Sequence, residues 1–195
     1  MTSMPHLPPR PNQPRRRLLS IGALGGAALA IPVVARGAPL APAPGTMLRM
    51  RHLHTGERIV LPAVEAAGVA DASGPLLQRV SRFLRDHYSG EVTTMDPGLL
   101  VQIRSLQQLL RAEGTVEIIS GYRSPATNER LRRRGGGGVA SRSLHLEGRA
   151  LDIRITGVPL ARLRDAALSL RAGGVGYYPR SDFVHIDTGR ERRWG

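Results

Sequence analysis

The sequence contains no cysteine and no lysine, and aromatic residues make up only 4% of its 195 residues. The absence of cysteine excludes disulfide bonds and thiolate metal ligands, so any metal site must use histidine and carboxylate side chains. The chain also lacks an apolar run of the roughly 20 residues that a membrane-spanning helix needs. Leucine, valine, isoleucine and alanine are plentiful, and they suffice for the core of one domain.

Negative charge is also scarce, since 28 arginines face 15 acidic residues and give a formal net charge of +13. A basic chain of this kind suits anionic polymers such as cell-wall glycan, lipopolysaccharide or nucleic acid. The chain has no basic–aromatic repeat and no recognition-helix pattern, so we expect no nucleic-acid partner. Nothing in the pattern indicates an oligomeric state.

The first 35 residues have the features of an export signal. Arg15, Arg16 and Arg17 precede two leucines, and residues 21–35 form a short, moderately apolar stretch that is rich in Gly and Ala. This order predicts a signal peptide over residues 1–35, which is read by the twin-arginine route and cleaved after Ala35. Two alternatives are cleavage after residue 43 and an uncleaved membrane anchor.

Removal of residues 1–35, which contain four arginines and no acid, would leave a charge of +13 − 4 = +9. Residues 36–46 then read as a Pro/Ala-rich tether, and residues 47–195 as the folded domain. We expect the mature protein in the periplasm, without a stable membrane span.

The pattern of the folded domain predicts an α+β fold with helices packed on a small antiparallel sheet. A hairpin with a Gly-containing turn is expected over residues 47–61, because large apolar and basic residues alternate there. Apolar spacing predicts helices over 76–88, 97–110, 125–134 and 160–170, and strands at 116–119, 150–155, 175–178 and 183–187.

Three residues have the composition of a catalytic zinc site. His145 precedes a predicted strand that contains Asp152, and His185 lies on a later strand. If the two strands pair, these side chains can converge on one ion. Two imidazoles and one carboxylate form a ligand set that leaves a fourth position for water, which indicates a hydrolase rather than a structural zinc site. Each residue alone has a simpler explanation, as a surface histidine or a turn-capping aspartate.

Longer segments resemble a known family. The Ser143-x-His145-x-x-Gly148-x-Ala150-x-Asp152 pattern is similar to the zinc D-Ala-D-Ala peptidases of the VanX and Streptomyces carboxypeptidase group. A closer resemblance, over nearly the whole chain, is to the murein endopeptidase K family of periplasmic enzymes that cut peptide cross-links in peptidoglycan. It is carried by residues 15–16, 53–57, 120–124, 173–179 and 183–189. It implies a Zn²⁺ cofactor with His145, Asp152 and His185 as ligands, and peptidoglycan as the partner.

The general base has two candidates. VanX-type enzymes carry a glutamate three residues before the last histidine ligand, and Asp182 holds that position here. Asp187 shares a strand face with His185 and is the first choice to accept a proton from zinc-bound water. Its alternative role is to orient His185 from behind as a hydrogen-bond acceptor.

Substrate contacts are expected from three residues around the site. Arg123 follows a strand and would bind a substrate carboxylate or stabilise the oxyanion, unless it is an ordinary surface arginine. Ser143 and Tyr122 are further candidates for contacts with the substrate. His52 and His54 are more simply structural than a second metal pair, because they have no third ligand.

The predicted function is hydrolysis of peptide cross-links in peptidoglycan, at bonds between two meso-diaminopimelate residues, as the closer resemblance implies. One alternative is a D-Ala-D-Ala or D-Ala-diaminopimelate carboxypeptidase or endopeptidase. The other is a non-catalytic wall-binding module that retains the metal.

Overall fold

The computed structural model describes residues 47–62, 74–134 and 139–195. The predicted signal peptide and tether lie outside these ranges. Seven strands and four α-helices form within them, in the order β1 (Met47–His52), β2 (Arg58–Pro62), α1 (Pro75–Phe83), α2 (Gly98–Leu110), β3 (Val116–Ser120), α3 (Pro125–Arg134), β4 (Ala150–Ile155), α4 (Leu160–Leu170), β5 (Gly174–Tyr178), β6 (Phe183–Asp187) and β7 (Arg192–Trp194). No helix in the described part of the chain is long and apolar enough to cross a membrane.

The strands form one sheet in the order β2-β1-β3-β4-β6-β5-β7. The predicted α+β class is therefore confirmed, but the sheet is larger than expected and it is mixed. The β1–β3 and β5–β7 pairs are parallel, and the other pairs are antiparallel. The long connection through α1 and α2 allows β3 to run parallel to β1. Antiparallel pairing was predicted and joins β3, β4, β6 and β5, whereas the two parallel pairs were not predicted, because residue patterning along a strand does not report the direction of its neighbour.

One face of the central strands carries the hydrophobic core. Leu151 pairs with Ile186 and Ile153 with Val184, and all four side chains are almost completely buried. Helix α4 packs on β4, β5 and β6, and α2 packs on α4. Complete burial of each such side chain stabilises the fold by about 1.5–3 kcal/mol.

The opposite face of β4 and β6 carries polar side chains. Because successive residues on a strand point to opposite faces, Asp152 and His185 project away from the core. These two residues are direct partners in the antiparallel ladder, and Ala150 is the partner of Asp187. The strand pairing that the sequence analysis required is therefore present.

His145 lies on a short 3₁₀ helix, Leu144–Glu147, where a loop was expected. The Ser143 hydroxyl caps this helix by accepting a hydrogen bond from the His145 amide. Gly148 ends the helix with φ 67°, and a Cβ at this position would overlap the Thr94 carbonyl oxygen. Glycine is required here both by the left-handed backbone and by this close approach.

Candidate metal centre

Three buried side chains converge beside the polar face of the sheet. His145 Nε2 lies 3.2 Å from Asp152 Oδ1 and 3.2 Å from His185 Nδ1, and His185 Nδ1 lies 2.9 Å from Asp152 Oδ1. Their residue exposures are 1%, 3% and 7% for His145, Asp152 and His185. In the described part of the chain, these three residues form the one cluster of histidine and carboxylate groups with metal-ligand spacing.

In each imidazole, the hydrogen bond of the nitrogen outside the triangle determines whether the nitrogen inside it carries a proton or a lone pair. His145 Nδ1 lies 2.7 Å from the Gly121 carbonyl oxygen, which can only accept a hydrogen bond, so Nδ1 carries the proton. His185 Nε2 lies 3.1 Å from Asp187 Oδ2, so the proton of the neutral ring is on Nε2. Both neutral rings therefore point a lone pair at the Asp152 carboxylate. Three acceptors that face one another at about 3 Å repel one another unless a metal ion or a proton lies between them.

The triangle fits zinc in size as well as in chemistry. Tetrahedral bonds of 2.0–2.1 Å place neighbouring ligand atoms about 3.3 Å apart. The three observed separations of 2.9–3.2 Å are close to this value. Hydrogen bonds to the outer nitrogens of zinc-bound imidazoles are typical of such sites, because they fix the ring orientation. His145, Asp152 and His185 are therefore suited to hold zinc with one position left for a further ligand.

The pKa values of these residues reflect burial and mutual attraction. Burial lowers the pKa of His145, although Asp152 opposes this shift, and the ring stays neutral at pH 7. Burial alone would also lower the pKa of His185, but hydrogen bonds to Asp152 and Asp187 raise it. Burial would raise the pKa of Asp152, yet His145, His185 and Arg123 hold it well below its usual range. A metal ion therefore competes with a proton at His185 Nδ1.

Asp187 lies behind His185, on the side of the ring that faces away from the ligand triangle. It is 0% exposed, and its Oδ1 accepts hydrogen bonds from the Gly174 and Gly189 amides. The Arg192 guanidinium donates hydrogen bonds to both carboxylate oxygens, from Nη1 to Oδ1 at 3.1 Å and from Nη2 to Oδ2 at 2.7 Å. Burial would raise the pKa of Asp187, but its hydrogen bonds with His185, Gly174 and Arg192 keep it well below its usual range. Of its two expected roles, the geometry favours orientation of His185.

Arg123 contacts the outer oxygen of a proposed ligand. Its Nη2 donates to Asp152 Oδ2 at 2.5 Å and its Nε donates to Ser120 Oγ at 3.0 Å. Ser120 reaches this face because the β3–β4 register shifts between Ile118 and Ser120, which places Ser120 opposite Asp152. Bulges of this kind commonly redirect side chains next to active sites. Arg123 leaves Asp152 Oδ1 free for the metal.

The triangle lies at the floor of an open cavity of about 700 Å³. Ser143 and Arg123, for which substrate contacts were predicted, line the cavity. Tyr122 does not, because it packs against the hydrophobic core. Asp182 is outside the lining as well: its exposed carboxylate pairs with Arg154, although the lining includes both of its neighbours in sequence.

The sequence analysis did not single out Trp194, which with Tyr178 and Phe183 forms an aromatic wall of the cavity. The Trp194 ring lies 5.1 Å from the His185 ring, and its Nε1 donates to Tyr178 Oη at 2.8 Å. Tyr178 stacks on Phe183 with ring centroids 4.6 Å apart. A Cβ at Gly176 would overlap the Trp194 indole, so glycine makes room for this ring. Nothing in the local pattern around Trp194 distinguishes it from a surface aromatic residue.

His52 and His54 belong to a separate cluster with His87. The His54 and His87 rings are stacked with centroids 4.0 Å apart and an interplanar angle of 5°. Stacked rings direct their lone pairs along parallel planes, which does not suit a shared ion. Within the described ranges, metal-ligand spacing is found at His145, Asp152 and His185, and not in this cluster.

Comparison with known proteins agrees with this geometry. The family model described as peptidoglycan L,D-endopeptidase MepK matches residues 41–194. The protein named peptidoglycan L,D-endopeptidase MepK in Escherichia coli strain K12 is 44% identical over 180 residues, which cover 92% of this chain and 96% of the relative. The Haemophilus influenzae protein named probable peptidoglycan L,D-endopeptidase MepK is 40% identical over 186 residues, which cover 94% of this chain and 96% of the relative.

The family match and the His-Asp-His cluster identify a metal-dependent peptidase of the M15 group. Within that group, the chain belongs to the peptidoglycan L,D-endopeptidase MepK family. The resemblance described from the sequence is thereby confirmed.

Proposed function

We propose that this enzyme is a zinc-dependent peptidase that cleaves peptide cross-links of peptidoglycan. The observation that carries the proposal is the buried triangle of His145, Asp152 and His185, in which all three inward-facing atoms are acceptors. A zinc ion bound there would supply Lewis-acid catalysis and would lower the pKa of water to about 7. The names of the relatives support peptidoglycan as the substrate.

The bond that we propose is the L,D bond between two meso-diaminopimelate residues. The relatives from two genera are named for L,D-endopeptidase activity, and they align with almost the whole chain. The open cavity of about 700 Å³ offers room for the two arms of a cross-linked peptide.

The residues around the triangle have separate roles in this proposal. The Gly121 carbonyl and Asp187 orient the two imidazoles, and Arg123 holds Asp152 Oδ2. Arg123 also lines the cavity, so a remaining N–H group can donate to the oxygen that becomes negative during the reaction.

We assign proton transfer to Asp182. The buried Asp187 carboxylate is fully engaged with His185, two backbone amides and Arg192. Asp182 is exposed, is held by one ion pair to Arg154, and follows Ser181 at the cavity wall. We propose that its carboxylate turns to the cavity when the pair with Arg154 opens, because Ser181 and Phe183 on either side of it line the cavity.

One observation favours the alternative of a wall-binding module without catalysis. Of the described residues that line the cavity, the one acidic residue is Asp152, which serves as a ligand in this proposal. A module would bind zinc and peptidoglycan fragments but would release no product.

Two purified cross-linked muropeptides would test the proposal, one with an L,D bond and one with a D,D bond. The zinc-loaded protein should cut only the L,D dimer, chelation should stop the reaction, and added zinc should restore it. Cleavage of the D,D dimer alone would favour the alternative specificity. Stoichiometric zinc with neither dimer cut would favour the module. The His185→Ala protein is the matched metal-deficient control.

We also propose export to the periplasm by the twin-arginine route, because the proposed substrate lies outside the cytoplasm and residues 15–17 form an arginine run. A precursor with Arg15, Arg16 and Arg17 all changed to lysine should remain uncleaved in the cytoplasm. Normal maturation of this variant would indicate the general secretory route.

A further inference from the structure

Three arginines line the cavity, and two of them are paired. Arg123 binds Asp152, and Arg192 binds Asp187. Arg142 is different, since its exposed side chain has no ion pair or hydrogen bond with any residue in the ranges that the structure describes. Arg142 is therefore the cavity arginine whose guanidinium remains available to a ligand.

The charge of the cavity favours an anionic ligand. The two carboxylates at the site, Asp152 and Asp187, are outnumbered by the three lining guanidinium groups. A bound zinc ion would add two further positive charges while the buried imidazoles remain neutral. A substrate with a carboxylate near its scissile bond would offset this excess, and a bidentate guanidinium–carboxylate contact would fix its orientation.

Arg142 lies close in sequence to the proposed metal ligand His145. The next residue, Ser143, also lines the cavity, and it caps the 3₁₀ helix that carries His145. A ligand that contacts Arg142 is therefore held a short distance along the chain from a metal ligand. Arg123 was expected to bind the substrate carboxylate, but two of its donors contact Asp152 and Ser120, and the proposed function directs a remaining N–H group to the oxyanion.

We propose that Arg142 forms a carboxylate-binding subsite, which recognises a free carboxylate next to the scissile bond and makes the enzyme prefer it to a carboxamide. This proposal rests on the proposed peptidase function. It assigns substrate selection to Arg142 and leaves Arg123 with Asp152.

Two synthetic L,D-linked peptides would test this subsite, one with a free carboxylate on the carbon that bears the scissile nitrogen and one with a carboxamide there. The zinc-loaded wild-type protein should favour the carboxylate by roughly 10- to 100-fold in kcat/KM, the range expected for a charge-assisted contact. In Arg142→Gln this ratio should fall towards one. Arg142→Lys should keep part of the preference, because an ammonium offers a point charge without the planar fork.

The matched control is Arg49→Gln, which removes the same charge from an exposed position on β1 outside the cavity. It should keep the wild-type ratio. A wild-type protein without preference, or an Arg142→Gln protein with an unchanged ratio, would overturn the subsite.

Binding of non-cleavable analogues separates this proposal from the peptidase function. Analogues of both peptides, with the scissile amide reduced to an amine, would be titrated into the same zinc-loaded proteins by calorimetry. If wild type cuts neither peptide, the peptidase proposal fails. The Arg142 subsite is then tested by the ratio of the dissociation constants of the carboxylate and carboxamide analogues. Loss of that ratio in Arg142→Gln supports the subsite, and an equal ratio in both proteins contradicts it.

Discussion

Asp187 Oδ2 lies 3.1 Å from His185 Nε2, while Nδ1 of the same ring lies 2.9 Å from Asp152 Oδ1. The imidazole therefore stands between the two carboxylates and separates Asp187 from the cavity. A carboxylate in this position fixes the ring orientation and raises the basicity of the ligand nitrogen. This relationship leads to different predictions for the two aspartates that the sequence offers as general bases.

Asp187→Asn should weaken zinc binding by about 10- to 100-fold, because an amide is a poorer acceptor for the His185 ring. The zinc dissociation constant can be measured by competition with a chromogenic chelator. Asp165→Asn, an exposed change on α4, is the matched control and should bind zinc like wild type. Wild-type zinc affinity with lost turnover in Asp187→Asn would instead make Asp187 the proton acceptor.

Asp182→Asn should show the opposite pattern. Its carboxylate contacts Arg154 and none of the three proposed ligands, so zinc affinity should not change. Turnover of a cross-linked muropeptide should fall by about 10²- to 10⁴-fold, the usual contribution of general acid–base catalysis. The same Asp165→Asn control applies. Wild-type turnover in Asp182→Asn would remove this residue from the mechanism.

Arg123→Ala should affect both the metal and the chemistry. Loss of the donor to Asp152 Oδ2 should raise the zinc dissociation constant, and Arg123→Lys should raise it less. At saturating zinc, kcat of the alanine variant should remain about 10²- to 10³-fold low, because the oxyanion loses a donor. Full recovery of kcat with added zinc would limit Arg123 to positioning of Asp152.

The separate histidine cluster makes stability depend on pH. Burial, with repulsion from His87 and His54, lowers the pKa of His52 from 6.5 to about 4, and burial also lowers that of His87 to about 4. At these two histidines the unfolded chain therefore binds more protons than the folded chain between these values, so their contribution to stability falls as the pH falls from 6.5 towards 4. His52→Phe keeps a buried ring but removes one titrating group.

Urea unfolding at pH 7 and pH 5, with chelator present throughout, would measure this effect. Between the two pH values, the free energy of unfolding should fall by about 1–2 kcal/mol less in His52→Phe than in wild type. The two proteins are compared by the change in their free energy of unfolding between pH 7 and pH 5, and not by its absolute value, since the substitution also changes packing against Phe83. Identical pH dependence in both proteins would show that His52 does not titrate in this range.

Local patterns in the sequence predicted those parts of the fold that depend on periodicity. Alternation placed His185 and Asp187 on one face of their strand, and the bounds of the helices over 98–110 and 160–170 lie within a residue or so of those predicted from the apolar spacing. The helix after Gly74 ends at Phe83, earlier than the predicted residue 88, because the chain turns there and Asp86 accepts the Tyr88 amide. Periodicity does not encode where such a turn interrupts it.

The surroundings of the metal centre were harder to predict, because they depend on contacts between distant segments. The Gly121 carbonyl that holds His145 has no side-chain signal, and Arg192 reaches Asp187 from a three-residue strand without periodicity. The bulge that turns Ser120 towards Asp152 is a property of two paired strands. The convergence of His145, Asp152 and His185 could be predicted from residue type and spacing, whereas the groups that orient these side chains required the tertiary structure.

Mass spectrometry of fragments released from purified sacculi tests the central claim most directly. The zinc-loaded wild-type protein should convert L,D-cross-linked dimers into monomers, each with an intact stem peptide, and the His185→Ala protein should release none. Chelation should stop release by wild type, and zinc should restore it. Undiminished L,D-linked dimers after treatment with stoichiometrically zinc-loaded wild-type protein would contradict the account.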